Sequence, residues 1–161
     1  MRTISTQDKV IDSRDVDKRI EELEGELQAR YETWQSDMVD GDDEISDDVA
    51  RYGHHDARIP FKHWVEILSN DKDEVAAEYM EWVVGREEAQ NITSEWEYGA
   101  GLIRADYFED YAREFATEIG SLDPGMELRW PYTCIDWDQA AGELRMDYGS
   151  FEIGGVEYLV R

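Results

Sequence analysis

The chain has 161 residues, 41% of them apolar and 12% aromatic, with 40 acidic against 16 basic residues and a net charge of −24. That length suits one domain, or a small domain with a helical arm, and the aromatic content separates it from disordered acidic tails, which are poor in aromatics. No apolar run approaches the ~18 residues of a membrane span, the N-terminal MRTISTQDKVIDSRD lacks the apolar stretch of a signal peptide, and a lone cysteine leaves no internal disulfide, so a soluble protein of a reducing cytosol is expected.

In chain order, the first strong element begins near Ser13. Val16, Ile20, Leu23, Leu27, Tyr31 and Trp34 recur at spacings of three and four, close to a coiled-coil seam. Ser13 is the expected N-cap, and Asp15 and Asp17 sit in the first turn, where the helix dipole favours anions. The other faces of this helix, expected over about 13–34, carry Asp12, Glu21, Glu22, Glu24, Glu26 and Glu32, offset by Arg14, Lys18, Arg19 and Arg30. The Val16, Ile20, Leu23, Leu27 seam has two readings: a dimerising or partner-docking surface, or a core-packing face.

Residues 35–50 hold seven acids and no base, among them Asp42, Asp43, Glu44, Asp47 and Asp48. Their order departs from the D-x-[DN]-x-[DN]-G of an EF-hand, so an acidic interaction surface is expected here. Pro60 suits a helix start, and Phe61, Trp64, Val65 and Leu68 follow at amphipathic spacing. Asn70 or Asp71 is the expected cap of the next helix, with Val75, Tyr79, Trp82 and Val83 inward. Asp73, Glu74, Glu78, Glu81, Glu87 and Glu88 lie outward, and Gly85 is read as a kink or an end.

From Ser94 the pattern changes. Glu95-Trp96-Glu97-Tyr98 alternates like a short strand. Asp106 is read as the cap of a helix with Phe108, Tyr111, Ala112, Phe115 and Ile119 on one face, closed by Gly120. SLDPG is a turn. Asp136 with Gln139 forms a D-x-x-Q capping box for a helix that buries Trp137, Ala140, Ala141 and Leu144. Two apolar stretches, 148–153 and 156–160, flank Gly154-Gly155 as a hairpin. The expected fold class is α+β: a helical N-terminal part with a long amphipathic helix, then helices and a small antiparallel sheet. The expected segments are 1–35, a coiled-coil-like helix; 36–92, acidic and helical; and 93–161, α+β.

Motifs for catalysis are missing from the sequence. Cys134 has no nucleophile motif around it and is read as a buried structural thiol. His54, His55 and His63 do not form H-E-x-x-H or a zinc spacing, and neither a G-x-G-x-x-G nor a P-loop occurs. No enzymatic activity, cofactor or metal is therefore expected. Without a basic patch, direct nucleic-acid binding is disfavoured. The charge itself is far beyond the ~2–8 units that keep a small domain soluble. Since duplex DNA carries about one negative charge per 1.7 Å of axis, a dense fixed array of carboxylates can compete for the basic grooves of DNA-binding proteins. Halophilic adaptation is the rival reading, given only four lysines.

The segment TCIDWDQAAGELRMDYGSFEIGGVEYLVR, 133–161, resembles the end of ArdA-type antirestriction proteins, on Ile135-Asp136-Trp137-Asp138-Gln139-Ala140-Ala141-Gly142-Glu143-Leu144. YFEDYAREFATEIGSL, 107–122, is similar to the helix and turn preceding that motif in the family. The wider block from Trp96 to Tyr148, and the opening VIDSRDVDKRIEELE, resemble small antirestriction proteins of phages and mobile elements. The resemblance covers 96–161 and, more loosely, 10–27, with no counterpart for 35–90. It implies a homodimeric DNA mimic that occupies the DNA groove of a type I restriction-modification enzyme, with Asp136, Asp138 and Glu143 taking part; a CRISPR-type complex is a second target of the same kind. For Asp136, a plain helix cap is the competing role. The alternative to mimicry is a non-catalytic adaptor that dimerises through its N-terminal helix.

Overall fold

The computed structural model describes residues 4–40, 59–126 and 128–161. These contain six α-helices and one four-stranded antiparallel sheet, in line with the α+β class expected. In chain order they are β1 (Val10–Asp12), α1 (Ser13–Asp40), α2 (Phe61–Asn70), α3 (Glu74–Ile92), α4 (Trp96–Gly99), β2 (Gly101–Arg104), α5 (Phe108–Glu118), α6 (Trp137–Arg145), β3 (Gly149–Ile153) and β4 (Val156–Val160). The chain forms two compact units, Met1–Asp17 with Val84–Arg161, and Lys18–Val83. The first unit joins the two ends of the chain, because β1 carries the N-terminal residues into the sheet formed by β2, β3 and β4.

In the first of these units the strands run in the order β1-β2-β4-β3. Ile11 pairs with Leu102, Ile103 with Leu159, and Phe151 with Tyr158. Side chains alternate across a strand, so Ile103 and Leu159 share one face, where Phe108 and Ala112 of α5 and Ala141 of α6 pack on them. On the opposite face α3 closes in: a Cβ on Gly85 would stand 2.5 Å from Ile153 Cγ1, and one on Gly149 would overlap Ile92 Cγ2. Covered on both sides, β4 buries Tyr158, Leu159 and Val160 in succession. Gly154 and Gly155, at φ of 56° and 76°, make the hairpin turn expected.

Several local elements differ from those expected from the sequence. Trp96–Gly99 is helical, not a strand; Trp96 is held by its indole N–H donating to Asp17 Oδ2 at 3.0 Å and by its carbonyl accepting from Ser13 Oγ at 2.6 Å. Ser13 is buried and also accepts from the Ala100 N–H at 2.9 Å, so it ties segments together, while Asp12 takes the capping role by accepting from the Arg14 N–H at 2.9 Å. α3 runs through Gly85 without ending there, because that glycine makes room for Ile153. Asp106 pairs with Arg104 instead of capping α5, and Ile119 is exposed. The α5 helix does end at Gly120, with φ of 77°.

The Lys18–Val83 unit is helical. α1 brings Leu27 and Tyr31 to Ile59, to Trp64 and Val65 of α2 and to Ala76 of α3. The Tyr31 ring lies 5.5 Å from Phe61 and 5.4 Å from Trp64, centroid to centroid, within the range where aromatic pairs attract. The Tyr31 hydroxyl donates to the Ile59 carbonyl. α2 ends with Lys72 in the left-handed region at φ 65°, and Asp73, not Asn70 or Asp71, caps α3 by accepting from the Ala76 N–H at 3.0 Å.

Candidate acidic interaction surface

Val16, Ile20, Leu23 and Leu27 are all buried by the chain itself. They are core residues, and the reading of this stripe as a dimer or partner seam is corrected: a side chain already removed from water has no further apolar area to bury against a partner. The acids of α1 lie on the other faces. Glu21, Glu22, Glu24, Glu26, Glu32 and Asp37 are exposed. Spread over sixteen residue steps at 1.5 Å each, they place about one carboxylate per 4 Å of helix, near the one phosphate per ~3.4 Å of a single DNA strand.

Arginines within this unit face particular acids. Arg30 Nη2 lies 2.6 Å from Asp73 Oδ2, and Arg19 Nε 2.8 Å from Glu78 Oε1. The Arg30 guanidinium holds the Asp73 carboxyl below its ordinary range, against the opposing effect of burial and with help from the Ala76 N–H. Arg19 does the same to Glu78, aided by the Trp82 indole N–H, which donates to Glu78 at 3.2 Å. Both carboxylates are half-buried. Asp73 and Glu78 thus carry a structural role within this unit. Glu74 and Glu81, on the same helix, are exposed.

In the other unit, Asp136, Asp138 and Glu143 are exposed on α6. Asp136 caps it: its Oδ1 accepts from the Gln139 N–H at 3.1 Å. The reciprocal half of the box does not form, because the Gln139 amide donates to Glu143 at 3.0 Å. Glu87, Glu88, Asp110, Glu114 and Glu118 are further exposed acids of this unit. The predicted acids Asp42, Asp43, Glu44, Asp47 and Asp48 lie outside the described residues, as do His54, His55 and Asp56.

Among the described residues, no three His, Cys, Asp or Glu side chains are grouped to hold a metal ion, and no helix is long and apolar enough to cross a membrane. Cys134 is exposed, which corrects its reading as a buried thiol. Sequence reasoning passed over Leu128 and Trp130, large apolar side chains left in solvent. Their only signal was an isolated apolar pair in a turn-rich stretch, which periodicity does not detect.

The sequence matches no family model, and the comparisons with curated proteins and with solved structures found no match.

Proposed function

We propose that the chain is a non-enzymatic DNA mimic of the bacterial cytoplasm that occupies the nucleic-acid-binding surface of a defence complex. A type I restriction-modification enzyme is the first candidate target and a CRISPR effector the second, with the chain acting as a homodimer in the manner of the ArdA-type proteins that 96–161 resemble. The supporting observation is the exposed carboxylate array on α1, at a density near that of a nucleic-acid strand, in a chain of net charge −24. Lys and Arg of the target meet these carboxylates as charge-assisted hydrogen bonds. The adaptor reading has less support, because the seam it needs is buried in the chain's own core.

The test is displacement. The chain is titrated into a purified type I enzyme, and separately a CRISPR effector, each bound to fluorescent duplex DNA at about 50 mM salt. Release of the DNA is expected at low salt, and direct binding of the chain to the DNA-free target should weaken steeply between about 50 and 200 mM salt as the electrostatic contribution is screened. No release from either complex at low salt, or direct binding indifferent to salt, defeats the reading and favours simple acidity or halophilic adaptation.

A further inference from the structure

Among the described residues several large apolar side chains are exposed, and the most exposed of them, Leu128, stands at a groove. The groove runs between α5 and α6, has a volume of about 650 Å3, and is lined by Arg113, Glu114, Thr117, Glu118, Leu128 and Trp137. Leu128 is 90% exposed. In the folded chain it contributes almost nothing by burial, whereas covering it with a partner would add the full transfer free energy of a leucine. The Arg113 guanidinium stacks 5.5 Å from the centroid of the Trp137 ring and is paired with Glu109. The cation inside the groove therefore already has its counterion, and the Trp137 face with its stacked guanidinium forms an anchor of the kind that dominates protein interfaces. The rim acids are Glu114, which accepts from the Tyr107 hydroxyl at 2.6 Å, and the exposed Glu118.

We propose that this groove docks a basic amphipathic helix of a partner protein. The partner's apolar stripe would cover Leu128 and Trp137, and its Lys and Arg side chains would meet Glu114 and Glu118. Charge selects this occupant: residues 106–143, which include the groove, hold ten acids against two bases. At this groove a second copy would set the same acidic stretch against itself, so the homodimer proposed above would use another face, whereas a cationic helix neutralises the surplus. The eleven residues of α5 give a wall of roughly 16 Å, enough for about three turns of a docked helix. This inference goes beyond imitation of phosphates, since it concerns an apolar anchor with a defined place and holds whatever the carboxylate array binds.

The test uses the full chain and two labelled peptides of about 18 residues, read by fluorescence anisotropy. One carries Leu at helical spacing with Lys elsewhere; the other has the same charge with every Leu replaced by Gln. The Leu/Lys peptide is expected to bind about tenfold more tightly than its Gln counterpart. Leu128→Ser should remove most of that advantage and leave the Gln peptide's affinity unchanged. Because Leu128 is so exposed, this variant is expected to fold; Trp137→Ala, checked by near-UV circular dichroism, gives an independent second measurement. Equal affinities for the two peptides overturn the proposal, as do variants that bind the Leu/Lys peptide like the parent chain. A dimer in sedimentation that Leu128→Ser dissolves overturns it too, because a second copy would then be what covers the groove.

Discussion

Gly25 and Gly85 both lie inside α-helices, yet a methyl group added at each meets different surroundings. At Gly25 of α1 an ideal Cβ has nothing within 4 Å. Gly25→Ala removes the entropic penalty of glycine in a helix and should stabilise the chain by about 0.5–1 kcal/mol. At Gly85 of α3 the Cβ would sit 2.5 Å from Ile153 Cγ1 and 3.2 Å from the Glu152 carbonyl oxygen. Overpacking there costs about 1–3 kcal/mol, more than the helix-propensity gain of roughly 1 kcal/mol, so Gly85→Ala should destabilise. Urea midpoints with unchanged m-values would read both signs; a Gly85→Ala variant as stable as its parent would mean that the helix does not pack this closely on the hairpin. In a sequence the two glycines look alike, which is why Gly85 reads as a kink or an end when it is a close approach. The same blindness hides the end of α2, where Lys72 adopts the φ of 65° that glycine usually supplies, and the cap at Asp73 follows from that turn.

Between α1 and α3, two arginine–carboxylate pairs act within the helical unit, and Asp73 serves twice, as partner of Arg30 and as cap of α3. Asp73→Asn keeps a capping oxygen and removes the charge, so it isolates the ion pair. For a pair this accessible the expected loss at pH 7 is about 0.5–1 kcal/mol. The sign with pH follows from the direction of the shift: the Asp73 carboxyl is held below its ordinary 3.8, chiefly by Arg30, so its stabilisation is complete above that value. It is lost as pH falls through the lower, folded value. The gap in urea midpoint between parent and Asp73→Asn should therefore close well below pH 3.8; a gap that persists there would locate the effect elsewhere than in the charge. Elements whose stabilisation is written in their own residues were legible in the sequence: the stripe of α1, the Asp136 cap, and the Gly154-Gly155 hairpin. β1 and β2 were not, because strands of three and four residues are held by pairing between segments some ninety positions apart in the chain. α4 was misread for a related reason. Its alternating Glu-Trp-Glu-Tyr imitates a strand, while in the fold the Tyr98 N–H bonds the Glu95 carbonyl and Trp96 is held by long-range bonds to Asp17 and Ser13.

For the whole molecule the dominant quantity is the surplus of anions, and it was the most legible feature of the sequence; which carboxylates are already committed was not. Arg14, Arg19, Arg30, Arg86, Arg104, Arg113 and Arg145 all have a carboxylate within ion-pairing distance. These local pairs are short-ranged, whereas a net charge of −24 repels itself over a Debye length of about 10 Å at 0.1 M salt. Added NaCl should therefore act on folding chiefly through the repulsion, raising stability. A gain of roughly 2 kcal/mol between low salt and about 0.5 M would lift Tm by about 4–8 °C for a chain of this size. Were Tm to fall instead, the local pairs would outweigh the net charge. The same salt should weaken binding of a basic target, since screening removes the attraction that brings the partners together. The two responses share a cause and have opposite signs. Measured on one preparation, they separate a chain that is acidic for solubility, which gains stability in salt and has no affinity to lose, from one whose carboxylates are directed at a partner.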